Sequence, residues 1–156
     1  AEQRAASRLP RQGNNNSSIS STLRFMYYFT DYLFGQIYVY FRYVCRGYIV
    51  LYDRYYFDFI NDAKRSNIKV NKKLVKFLYH FVYKPDLNFF LYADPETILN
   101  RKKELKETEI KTLTKNYSSL FDEYEKNYSN SKYVQIKNIN LVDTIDKVMY
   151  EFGKAV

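Results

Sequence analysis

The chain has 156 residues, a formal net charge of +8, one cysteine and one histidine. That length suits a single domain with a core of its own. The solitary Cys45 and His80 exclude a disulfide framework, a Cys/His zinc site and any scheme built on a Ser-His-Asp or Cys-His pair. Chemistry, if any, falls to carboxylates, cations and backbone, and the positive charge suits a partner carrying phosphate: nucleic acid, nucleotide or anionic lipid. Over-use of Lys, Asn, Tyr, Ile and Phe, which share A/T-rich codons, accounts for part of the same surplus.

Residues 1–20, AEQRAASRLPRQGNNNSSIS, are poor in apolar side chains and read as a disordered or flexible tail. They hold no apolar stretch followed by a small-residue cleavage site, so no secretory signal is expected, and with one cysteine the reducing cytoplasm is the expected location. Residues 21–46 follow as a helix that is apolar on most sides, with Gly47 where a helix end favours positive φ. It is expected to be a core helix. Asp31, Arg42 and Arg46 interrupt it, leaving no uncharged window near the ~20 residues of a membrane span.

Tyr48 to Tyr52, YIVLY, is β-branched and aromatic without alternation, the pattern of a strand covered on both faces. Asp53 and Arg54 stand at its carboxyl end. Asn71 is a candidate N-cap for a helix through Tyr83 whose inner face is Leu74, Val75, Leu78, Phe81 and Val82. Leu87–Tyr92 is the second expected strand, and Asp94-Pro95-Glu96 starts a helix directly from it. A charged patch, RKKELKETE, precedes a helix carrying Ile110, Leu113, Tyr117, Leu120 and Tyr124 to about Asn127. A third strand over Tyr133–Ile136 and a last helix capped near Asn140, with Leu141, Ile145, Val148, Met149 and Phe152 on one face, complete the chain. The order predicts α/β: a three-layer parallel sheet with helices on both faces.

Ligands of open parallel sheets bind at the carboxyl ends of strands, where Asp53, Arg54 and Asp94 are expected. An Arg there can grip phosphate through two parallel hydrogen bonds, and an adjacent Asp can hold hydrated Mg²⁺ or accept a proton. The plainer alternative is an internal ion pair. Arg101, Lys102, Lys103 and Lys106, mixed with Glu104, Glu107 and Glu109, read either as a solvated helix face or as a lid bringing cations onto phosphate. Asp58, Asp62 and Arg65 line an acceptor site or solubilise a turn.

The ordered segments GYIVLYDRYYFDFINDAKR, KPDLNFFLYADPETILNRKKE and KNYSSLFDEY resemble the latter two-thirds of thymidylate kinase-like P-loop nucleotide kinases, over roughly residues 21–153. The resemblance implies a P-loop NTPase-like fold, incomplete at its N-terminal side, and ATP-dependent phosphoryl transfer with ATP and Mg²⁺ as cofactors. It implies that Arg54 binds the phosphate of a nucleoside monophosphate or similar small acceptor. Asp53 would organise Mg²⁺ through water, while Phe29, Tyr55, Asp58 and Arg65 line the acceptor pocket. Arg101, Lys102 and Lys103 would close on the ATP phosphates, and a homodimer is compatible with it. The sequence departs from the family twice. The G-x-x-x-x-G-K-[ST] cradle is absent, Gly153-Lys154 being followed by Ala155, so an earlier segment of the same protein is expected to supply it. Leu33 stands near the position where thymidylate kinases carry a base-reading Arg, which speaks against dTMP as acceptor. Two other readings stay open: a non-catalytic interaction module of kinase fold, and a basic, aromatic nucleic-acid binder.

Overall fold

A computed structural model of the chain describes residues 18–63, 65, 68–101 and 105–155. The expected tail lies almost wholly outside the described residues, and helical structure is already present at Ser18, inside its expected bounds. The chain divides into two compact units, Ala1–Tyr83 and Lys84–Val156.

The described part of the first unit contains helices and loops and no strand. Helix α1, Ser18–Arg42, buries Phe25, Phe29 and Gln36, successive residues four and seven apart on one side of the helix. It ends four residues earlier than expected. A 3-10 turn over Val44–Arg46 follows, and Gly47 closes it at φ 79°, its N–H donating to the Val44 carbonyl, a conformation that costs glycine nothing because it lacks a Cβ. Helices α2 (Phe57–Asn61) and α3 (Lys72–Leu78) pack on each other, and Phe59 of α2 meets Phe25 of α1 edge-on at 6.0 Å. Asn71 caps α3 as expected, its side chain accepting from the Lys73 N–H at 2.8 Å.

Tyr56 and Tyr79 are fully buried at the centre, stacked with ring centroids 5.6 Å apart. The Tyr56 hydroxyl donates to the Val75 carbonyl at 2.9 Å, which lets a tyrosine serve as a core residue without an orphaned polar atom. Phe25, Phe29, Phe57 and Phe59 complete an aromatic cluster around them. The buried face of α3 is rotated from the expected one. Val75, Tyr79 and Val82 point inward, while Leu74 and Phe81 are exposed.

The expected strand 48–52 is not a strand. Ile49 is 69% and Leu51 90% exposed, and among the described residues the only ladder is the one in the second unit. A strand exists by virtue of neighbours that take its N–H and C=O groups. YIVLY has the side chains of an interior strand and none of those neighbours here.

The second unit holds a parallel pair, β1 (Leu87–Tyr92) and β2 (Lys132–Lys137), in register Phe89↔Val134. They are joined through α4 (Pro95–Arg101) and α5 (Glu107–Asn127), and α6 (Leu141–Ala155) follows β2. Residues alternate between faces along a strand. On one face Phe90 stacks on Tyr117 at 5.1 Å and Tyr133 meets Phe121 and Tyr124, all three on α5. On the other, Lys132 is ion-paired to Glu151 of α6, and Thr144 of α6 is buried. Asn140 caps α6, its side chain accepting from the Asp143 N–H at 2.8 Å. The two strands make up the whole sheet among the described residues. The architecture is therefore mostly helical with one small parallel sheet, which corrects the expected three-layer, P-loop NTPase-like sheet. The aromatic run 48–52, expected as one of its strands, joins no ladder among the described residues.

Candidate functional site

Asp53 and Arg54 sit in the bend between the loop 48–52 and α2. Arg54 is the one described non-glycine residue with positive φ, at 80°. In that region the Cβ of an L-residue crowds its own backbone, at a cost of about 1–3 kcal/mol. Surrounding contacts must hold it there, and two are visible. The Arg54 guanidinium, half exposed, donates through Nη1 to Asp58 Oδ2 at 3.1 Å, four residues on in the first turn of α2. Next to it, Tyr55 is tied down by a part-buried polar network. Its hydroxyl donates to the Tyr83 carbonyl and accepts from Gln36 Nε2 at 2.5 Å, while Gln36 Oε1 accepts from the Tyr83 N–H at 3.0 Å. A buried glutamine that uses both ends of its amide fixes α1, Tyr55 and the end of the first unit to one another.

The Tyr55 ring packs edge-on against Tyr32 at 5.6 Å and against Tyr52 at 5.4 Å. Burial, reinforced by Tyr55, pushes the Tyr32 phenol far above its ordinary range, and burial also raises Tyr52. Both stay neutral at physiological pH. The turn thus rests on a bed of uncharged tyrosines, with one cation and two carboxylates above it. Asp53 is exposed and has no hydrogen-bond or ion-pair partner among the described residues.

The sequence-derived residues divide by location. Asp53, Arg54, Tyr55 and Asp58 come together in this turn. Arg65 is exposed, and its backbone N–H closes the next loop on the Asp62 carbonyl at 2.9 Å. Phe29 is buried against Phe25 and Tyr56, so its ring serves the core and has little surface left for an acceptor. Arg101 belongs to the second unit, where its Nη2 donates to the Ile139 carbonyl at 3.3 Å. Lys102 and Lys103 lie outside the described residues.

At the carboxyl ends of the two strands, Asp94 pairs with Lys137 at 2.8 Å, and that pairing raises the Lys137 ammonium above its usual range. Neither Gln36 nor Lys137 emerged from sequence reasoning. The available signals were a lone amide inside an apolar helix and a lysine ending an apolar strand.

The described residues contain no group of three His, Cys, Asp or Glu side chains able to hold a metal. A hydrated Mg²⁺ bridged to phosphate needs only one or two carboxylates, and the unpaired Asp53 fits that lesser demand. The triphosphate of ATP does not fit. Its backbone cradle and lysine have no counterpart in the sequence. No family model, no curated protein and no solved structure matches the chain. No described helix is long and apolar enough to cross a membrane.

Proposed function

We propose that the Asp53–Arg54 turn binds the phosphate of a small acceptor, and that the chain is the acceptor-and-lid portion of an ATP-dependent kinase resembling the thymidylate kinase-like group. The observation that carries this reading is the backbone of Arg54. A non-glycine residue held at φ 80°, with its guanidinium steered by Asp58 and half open to solvent, is strain kept where a cation is presented. Strain of this kind concentrates at functional sites.

In this reading Arg54 forms parallel hydrogen bonds to two phosphate oxygens, Asp58 orients it, and Tyr55 fixes the turn. Asp53 takes a hydrated Mg²⁺ or the proton of an attacking group. A nucleoside monophosphate or another small phosphorylated or hydroxylated acceptor would supply the ligand, and the thymine-reading arginine has no equivalent at Leu33. The ATP cradle must come from another segment or subunit.

Titration calorimetry with nucleoside monophosphates tests the reading directly. Arg54→Ala should weaken binding about 10- to 100-fold, the worth of a charged hydrogen-bond pair, and Asp58→Ala should weaken it less. Binding that is indifferent to Arg54 would reject the assignment.

A second reading has its own support. With only two strands among the described residues, a non-catalytic interaction module of related ancestry is its natural statement. Under it, Arg54→Ala leaves every nucleotide affinity unchanged.

A further inference from the structure

The positive charge of the chain is concentrated in one place. Between Asp62 and Asp86 the sequence carries seven lysines and arginines and no carboxylate, against a net charge of +8 for all 156 residues. That stretch includes α3 and the 3-10 turn that continues it, Tyr79–Phe81. Val75, Tyr79 and Val82 are buried, and the edge turned away from them is apolar and open. Leu74, Phe77 and Phe81 recur there at steps of three and four, exposed at 41%, 58% and 63%. At 3.6 residues per turn, Lys72, Lys73 and Lys76 fall on the arc between this edge and the buried side, and Lys72 and Lys73 are exposed. The element is apolar on its outer edge and cationic along the flank beside it.

That combination fits an anionic lipid surface. The acyl boundary takes up apolar side chains, the headgroup layer offers phosphate to lysines, and the lysine stems reach from one to the other. A single-stranded nucleic acid would also attract the lysines, but its bases stack on open aromatic faces. Phe77 and Phe81 are packed against each other instead, edge to face with centroids 6.0 Å apart and planes at 75°, and the third member, Leu74, has no ring. Together they form a wedge and not a platform. Apolar exposure without the charge is a different case: α6 exposes Leu141, Ile145 and Met149, with Asp143 and Asp146 in the same turns. We propose that the outer edge of α3 docks the chain reversibly on an anionic lipid surface. Leu74, Phe77 and Phe81 enter the boundary between headgroups and acyl chains, and Lys72, Lys73 and Lys76 rest among the lipid phosphates. Three apolar side chains are a weak anchor by themselves, so docking depends on the lysines as well, each contributing about fivefold near such a surface.

Co-sedimentation with vesicles tests the proposal. The chain is expected to pellet with phosphatidylcholine vesicles that contain about one-third phosphatidylserine and to stay in solution with phosphatidylcholine alone. Raising the salt from about 0.05 M to about 0.5 M should release it, because the attraction is screened. The variant F77S/F81S keeps every charge and should weaken binding about 10-fold or more, and K72Q/K73Q, which keeps every apolar side chain, about 30-fold. All four positions are exposed, so far-UV circular dichroism and the thermal midpoint should match those of the parent chain. L141S/I145S, on the exposed face of α6, should bind like the parent. A chain that ignores anionic vesicles overturns the proposal, as does binding that survives either α3 variant or is lost in the α6 control. Binding of a single-stranded oligonucleotide that F77S/F81S weakens, with no binding to vesicles, would overturn it in favour of nucleic acid.

Discussion

The two units were built from similar sequence signals and came out differently. Each contains an uncharged apolar run of strand length, YIVLY at 48–52 and LNFFLY at 87–92. The second became β1, paired along its whole length to β2 and covered by aromatic side chains of α5. The first lies in the open, with Leu51 almost fully exposed. What separates them is the connection that follows. After β1 come α4, α5 and a second strand that returns parallel to it, so the ladder is completed inside the unit. After Tyr52 the described residues form a turn, two short helices and a 3-10 turn, with no strand before Tyr83. A sheet is a property of at least two segments, and side-chain pattern reports only one of them at a time.

The sharpest way to break the contrast is to damage each core in turn. Phe25→Ala removes a fully buried ring from the first unit, and Phe121→Ala one from the second. Each is expected to cost about 3–5 kcal/mol in denaturant unfolding. Hydrogen exchange should show lost protection chiefly within 18–83 for the first and 84–155 for the second. Equal loss across both units would dissolve the division.

A second pair of substitutions addresses the two runs themselves. Ile136→Ala, in the buried part of β2, should cost about 2–5 kcal/mol. Leu51→Ala should stay within about 0.5 kcal/mol, as for exposed positions generally. If Leu51→Ala costs as much as Ile136→Ala, the run 48–52 is covered after all.

Arg54→Gly separates strain from contact. Glycine relieves the positive φ, and a gain of up to about 1 kcal/mol in thermal unfolding is expected, together with loss of the proposed phosphate binding. Arg54→Lys keeps the strain and should show no gain.

The smallest effect concerns acid. Pairing with Lys132 holds the Glu151 carboxyl below its ordinary 4.5. A carboxylate whose pKa is depressed on folding contributes stability that is present above its unfolded pKa and lost as pH falls through the folded one. Stability of the second unit should therefore fall as the pH drops below about 4.5, and Glu151→Gln should flatten that fall. Both groups are partly exposed, so high salt should shrink the effect.

Legibility in the sequence followed the same division. Caps and helix periods are local, so Asn71, Asn140, Gly47 and the start of α4 were readable, and β1 and β2 were placed within a residue or so. The extent of the sheet was not readable, because pairing is non-local. For α1, apolar residues on nearly every side left the buried face undetermined. Packing chose Phe25, Phe29 and Gln36 and left the Phe34 side out. At the site, Asp53 and Arg54 stood out as a charge pair beyond an apolar run, whereas the Arg54 backbone and the Gln36–Tyr55–Tyr83 network depend on contacts made across 19 to 47 residues.

The exposed run at 48–52 also has a consequence for handling the protein. Five β-prone residues with no charge, no proline and no glycine, presented without a covering layer, form a template on which another extended chain can add its own hydrogen bonds. Concentrating or warming the chain should favour β-rich aggregates seeded at Ile49–Leu51. A lysine at Leu51, which is 90% exposed, would act as a gatekeeper and raise the concentration at which the protein stays clear, leaving the fold of either unit intact.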